Sequence, residues 1–189
     1  MRALQAVEAG RVAWPVTMAA IGTALDLDTA GRRHLARLTD PPRQAPVPAD
    51  PDHLARMVAA IAVPAWVVDP AWNVLATSAA SRRGPRPGTN LVVWATSARR
   101  AWDDWPHVAS QLMARSRAVS SWYAEPVPGL STVVADLARA SRDAAEAWSA
   151  GRVADTPHQE VVGYRRRQLT LLWAQFGDDP ATRLVMVTD

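Results

Sequence analysis

Tryptophan and arginine are the residue types with which this sequence could hold a ligand. It has nine Trp against a single Phe, and all 21 of its basic residues are Arg. Eight of the tryptophans, Trp66, Trp72, Trp94, Trp102, Trp105, Trp122, Trp148 and Trp173, follow residue 52, and only Trp14 precedes it. Taken singly, each reads as core. Together, so many large flat side chains are hard to close-pack without gaps, and an apolar ligand cavity uses such walls with a few polar fixing points. Arginines cluster at Arg82, Arg83 and Arg86, at Arg99 and Arg100, and at Arg165 to Arg167. The forked guanidinium of Arg99 suits an anionic ligand head near the aromatic cavity. The candidate ligand contacts are therefore Trp66, Trp72, Trp94, Arg99, Trp105, Leu112, Trp122 and Trp173.

Catalytic and metal chemistry find little support. His34, His53, His107 and His158 form neither an HExxH motif nor an i, i+4 pair, and no cysteine is present to supply a thiolate. Nucleotide-binding loops and the GxSxG elbow are missing as well. Asp103-Asp104 and Asp178-Asp179 are adjacent pairs, which do not converge on one substrate; they read as a helix start and a turn. No enzyme activity, metal or cofactor is expected. The pI near 10.4 overstates basicity, because net charge is only +3 and little titrates between His and Arg. No charge-free stretch exceeds the 14 residues of Val12 to Leu25, and Met57 to Val68 has 12, against the roughly 20 needed to span a bilayer. The expectation is a cytoplasmic protein with no membrane partner.

The elements that must position these residues fall either side of PPRQAPVPADPD, residues 41–52, a Pro-rich stretch that reads as an extended linker. Before it, residues 1–40 carry two helical patterns. One runs from Pro15 to Leu27. The other is capped by Asp28 or Thr29, with Leu35 and Leu38 on one face and Arg32, Arg33 and Arg37 facing out. Such short helices bury little alone and should dock on something. After it, residues 53–189 read as a helix over His53 to Ala62, strands at 65–69 and 72–77, a loop at 81–89, and a long helix from about Pro106 to Trp122. Two further helices follow around Leu130–Leu137 and Ala144–Trp148, then strands at Glu160–Tyr164, Gln168–Phe176 and Leu184–Val187. If the strand continued through the Arg triplet, alternation would set Arg165 and Arg167 on one face and Arg166 on the other. The sum is an α+β domain around an antiparallel sheet.

AVPAWVVDPAWNVLA at 62–76, Asn90-Leu91, RRAWDDWPHVASQLMARSR at 99–117, VADLARASRDAAEAW at 134–148 and HQEVVGYRRRQLTLL at 158–172 match in order and spacing across about 130 residues. Over this span the chain resembles the ligand-binding domain of MmyB-like transcription regulators. It departs from the family pattern at Thr77-Ser78 and at His158-Gln159, and by a loss of two or three residues between Leu91 and Arg99. The resemblance implies a PAS-like five-stranded antiparallel sheet with helices on one face, binding a small hydrophobic effector such as a fatty acid. Such domains follow an XRE-type helix-turn-helix. LQAVEAGR, residues 4–11, resembles the end of its recognition helix, and Pro15–Leu27 and Thr29–Leu38 resemble the two helices after it. The first two helices of such a domain have no counterpart in the sequence. On that match Arg2, Gln5 and Arg11 would reach DNA phosphates at a promoter, and base readout is not evident. A homodimer is expected, because such regulators read paired half-sites. The alternative is a partner-binding or dimerisation module that has lost DNA binding.

Overall fold

A computed structural model describes residues 16–47, 50–176, 179 and 181–188. The expected DNA contacts Arg2, Gln5 and Arg11, and with them Trp14, lie outside these residues.

Helix α1, Val16–Ala24, leads through Asp26, at φ 49°, to helix α2, Thr29–Thr39. The Asp28 carboxylate caps α2 by accepting from the Gly31 N–H at 2.7 Å, as its position before the helical run predicts. No residue of α2 is fully buried. The Pro-rich stretch that follows is laid along the domain. The Arg43 and Gln44 carbonyls accept from the Ala124 and Glu125 N–H groups at 2.9 Å, and the Val47 N–H donates to Asp179 at 2.8 Å. Asp179 is buried, and it also accepts from the Tyr123 hydroxyl and from the Ala181 N–H. One carboxylate thus ties strap and turn together.

Helix α3, Pro51–Ala59, starts two residues earlier than the apolar spacing suggests. Asp50 caps it and Pro51 sits at its first position, where the missing N–H costs nothing. Strands β1, Ala65–Val68, and β2, Val74–Thr77, form the expected hairpin. Helix α4, Leu91–Ser97, is a finding of the structure alone. Its LVVWATS sequence is β-prone, but the Asn90 side chain accepts from the Val92 and Val93 N–H groups and sets a helix start. A short 3₁₀ turn over Arg99–Ala101 leads to helix α5, Trp105–Ser120, capped by Asp104. Helices α6, Leu130–Ala140, and α7, Arg142–Ser149, precede strands β3, Gln159–Tyr164, β4, Arg167–Gln175, and β5, Arg183–Thr188.

The sheet runs β2-β1-β5-β4-β3, antiparallel throughout, the PAS-like α+β arrangement expected. The Arg triplet does not continue a strand. Arg165 and Arg166 form a two-residue hairpin turn with φ of 52° and 61°, so the alternation argument does not apply to them. Non-glycine residues resist this conformation. Two outside bonds hold them: the Arg165 N–H donates to the Ala101 carbonyl at 2.7 Å and the Arg166 N–H to Asp103 at 3.1 Å.

Alternation along the strands makes two cores. On one face Trp66, Val68, Trp173 and Val185 meet α4 to α7 through Val92, Leu112, Met113, Leu137, Ala144 and Ala147. On the other, Ala65, Val67, Ala76 and Leu184 meet Leu54 and Val58 of α3. A helix therefore covers part of the second face too.

Candidate ligand-binding site

Where α2 meets the domain there is a cavity of about 340 Å³, bounded by Arg33 and Arg37 of α2, the β1–β2 turn, Arg115 and Trp122, Asp155, and Arg183 at the start of β5. Its floor is Trp72, and the turn that presents Trp72 is unusual. Trp72 has φ 69°, a conformation that a bulky side chain adopts only under constraint. Asp69 supplies that constraint. One of its oxygens accepts from the Ala71 and Asn73 N–H groups, each at 2.8 Å, and the other from the Asn73 amide at 2.8 Å. Asn90 closes the turn by donating to the Ala71 carbonyl at 2.8 Å. The Trp72 ring is pinned in turn: its Nε1–H donates to the Ser116 hydroxyl at 2.9 Å, and its edge meets Trp173 at 6.3 Å and 87°.

Behind this floor lies a buried ion pair. Arg115, on α5, donates to Glu160 of β3 at 2.9 Å, with side-chain exposures of 4% and 14%. The Arg115 guanidinium also lies over Trp173, 5.2 Å from the ring centroid. The Nε groups of Arg115 and Arg37, and Nε1 of Trp173, are buried with no hydrogen-bond partner among the described residues. All three are donors. Buried donors without acceptors are costly; Arg37 and Arg115 line the cavity, so an acceptor group that reached their guanidiniums there would be favoured by the desolvation already spent, whereas Trp173 lies behind it.

The upper wall is ionic. Asp155 faces Arg33 at 2.8 Å and Arg37 at 3.5 Å, and Arg37 stacks on Trp122 with its Cζ 4.3 Å from the centroid. Arg37 does not face out, as the helical pattern had it; its side chain is 14% exposed and turned to the domain. Burial holds the Arg37 and Arg183 guanidiniums below their ordinary pKa. Of the two carboxylates on the wall, Asp69 is committed to its own turn, while Asp155 is shared by Arg33 and Arg37 and Arg115 is paired with the deeper Glu160. Such a site suits an anion with an apolar body: carboxylate to the guanidiniums, chain against Trp72, Trp122, Val119 and Val68.

The structure divides the eight residues expected to contact a ligand. Trp72 and Trp122 line the cavity, Trp173 packs against Trp72, and Leu112 lies buried in the core cluster they share. Trp66 is elsewhere, sealed under the 81–88 loop: its Nε1–H donates to the Pro85 carbonyl at 3.0 Å, and a Cβ on Gly84 would stand 2.2 Å from its ring. Trp94 lies edge-on to Trp102 at 6.2 Å, and Trp105 begins α5 at the margin of the core. Arg99 lines a separate, more open groove of about 710 Å³ between α4 and α6, shared with Arg100, Arg165, Val133 and Leu137. Arg37, Arg115, Arg183 and Asp155 were not among the candidates. Arg115 alone left a trace in the sequence, a charge on the apolar stripe of Leu112, Val119 and Trp122.

Among the described residues no three His, Asp or Glu side chains gather as a metal site, and no helix is long and apolar enough to cross a membrane. No curated protein matches the sequence. Residues 50–188, most of the chain and every strand of its sheet, match the family described as MmyB-like transcription regulator ligand binding domain. With the five-stranded sheet and a built cavity on its helical side, the chain belongs to the MmyB-like transcription regulator ligand binding domain family.

Proposed function

We propose that this protein is a ligand-responsive transcription regulator whose effector is a small amphipathic carboxylate, such as a fatty acid, held in the cavity between α2 and the sheet. The observation that carries this reading is the convergence of Arg37 and Arg115, whose buried Nε groups have no partner among the described residues, on a space that Arg183 also lines and the strained Trp72 floors. An outlier conformation that presents an aromatic ring to a cavity is the kind of strain that function retains. DNA binding is part of the proposal by way of the family, with Arg2, Gln5 and Arg11 as phosphate contacts, a homodimer on paired half-sites, and the cytoplasm as its place.

Octanoate is a suitable probe, because Trp72 and Trp122 stand where it would bind and their emission reports it. Titration should change tryptophan fluorescence saturably, and Arg115→Met should weaken the response about tenfold, the loss of one charge-assisted hydrogen bond. Native mass spectrometry of the purified chain should find a copurified acid. A chain that carries no such acid and gives no saturable response to octanoate overturns the reading. For the DNA arm, a promoter fragment should shift at low salt and the shift should change with octanoate.

A further inference from the structure

The wall of the cavity belongs to two parts of the chain. Arg33 and Arg37 come from α2, and Trp72, Arg115, Trp122, Asp155 and Arg183 from the domain. Helix α2 buries no residue completely; its polar hold on the domain runs through Asp155, shared by Arg33 and Arg37, and through the stacking of Arg37 on Trp122. Docking therefore brings two more guanidiniums to a surface that already presents Arg115 and Arg183. Arg115 is matched by Glu160 and Asp69 is used by its turn, which leaves Asp155 as the carboxylate facing the α2 arginines. Docked α2 thus sets two guanidiniums, Arg33 and Arg37, against one carboxylate in a partly desolvated space, where like charges interact more strongly than in water.

We infer that the cavity anion is the clasp between the two parts: a carboxylate held jointly by Arg37 of α2 and Arg115 and Arg183 of the domain fixes α2 in its docked position. The inference rests on the cavity reading proposed above and assigns its regulation. An anion that touches both walls binds the docked state more tightly than the undocked one, and that difference is the coupling. The ligand and Asp155 compete for the same guanidiniums, so Asp155 holds α2 loosely when the cavity is empty and yields when it fills. Effector occupancy is thereby converted into the position of the segment that leads toward residues 1–15.

Amide hydrogen exchange of the full chain tests this, with octanoate, 1-octanol and no addition compared at residues 28–40. Octanoate should slow exchange in α2 about tenfold, a coupling within the usual range for linked sites. The uncharged alcohol should not. Arg37→Ala should abolish the slowing and weaken octanoate about tenfold while α5 exchanges as in the parent chain, which separates loss of the clasp from loss of the fold. Asp155→Asn should do the opposite to affinity: octanoate binds several-fold more tightly because its competitor is gone, while α2 of the unliganded chain exchanges faster. Fluorescence that reports octanoate binding with α2 exchange unchanged, or slowing by 1-octanol as strong as by octanoate, overturns the clasp and leaves the cavity reading standing. No fluorescence response to octanoate overturns both.

Discussion

The two faces of the sheet solve the same packing problem with different materials. Against α3 the contact is aliphatic and small: Leu54 and Val58 on Ala65, Val67, Ala76 and Leu184. Nothing in it needs a polar partner. Against α5 the materials are Trp173, the Arg115–Glu160 pair and Trp72 in its left-handed turn, with the buried Nε of Arg115 and Nε1 of Trp173 lacking acceptors among the described residues. The first face is complete by itself. The second carries polar groups that stability alone would replace, since a well-packed apolar set often does as well as a buried ion pair. The difference teaches where to look for binding: on the face that accepts a cost the other face avoids.

The largest effect separating the faces should come from Glu160→Ala. It strands Arg115 in a nearly sealed space, at about 3–5 kcal/mol, measured by denaturant unfolding. The double change Arg115→Met with Glu160→Leu should restore stability to the parent level or above it, yet leave octanoate binding weakened about tenfold. Stability recovered without binding is the signature expected of a site. If Glu160→Ala costs no more than an ordinary surface change, within about 0.5 kcal/mol, the contrast between the faces fails.

The aliphatic face should answer in the reverse way. Leu54→Ala removes a side chain that is 4% exposed and should cost about 2–3 kcal/mol, toward the low end for such truncations because a nine-residue helix can settle into the gap. Octanoate affinity per folded molecule should be unchanged. A Tm lowered by roughly 2–4 °C per kcal/mol, with an unaltered fluorescence titration, would sharpen the comparison.

What could be read in the sequence divides along the same line. The aliphatic periodicity of the helices, the hairpin around Pro70 and the strand run from Glu160 to Val187 were legible, because burial of one face imposes a regular spacing. So were the helix starts at Asp28 or Thr29 and at Asp103-Asp104, of which the structure uses Asp28 and Asp104 as caps, because a cap needs only its own backbone neighbours. Helix α4 was not, since one Asn cap outweighs a β-prone Val-Val-Trp. The aromatic wealth of the site was visible as composition, and Trp72, Trp122 and Trp173 do gather there. Its polar half was hidden, because Arg37, Arg115 and Arg183 lie far apart in sequence and meet only through the fold. Trp66 and Arg99 show the converse: residues of the right type, placed by the chain in a sealed loop contact and in another groove.

The smallest effect concerns pH, and it should appear at the α2 junction and not under α3. His34, on α2, is half-buried, and its pKa is held below the ordinary 6.5, first by burial and then by the charges of Arg37 and Arg117. Its Nδ1 has no partner among the described residues, so nothing there rewards a proton. Arg117 is itself fixed, donating to the Trp148 carbonyl at 2.5 Å and stacked 3.9 Å from the Trp148 ring centroid, and cannot turn away. The docked helix thus keeps His34 neutral, while an undocked one would let it titrate near 6.5. Proton uptake favours the undocked state, so docking is at full strength above that value and weakens as pH falls below it. Limited proteolysis between α2 and α3 should therefore be faster at about pH 5.5 than at about pH 7.5, once corrected for the protease's own pH dependence. His34→Gln should remove the difference. Octanoate should suppress it as well, because a carboxylate between the arginines offsets the charge that makes protonation unfavourable. The α3 face presents Leu54 and Val58 to aliphatic neighbours, so exchange of its buried amides, corrected for intrinsic rate, should not change over the same interval. A pH response there equal to that of α2 would place its origin in the domain as a whole and remove His34 from the account.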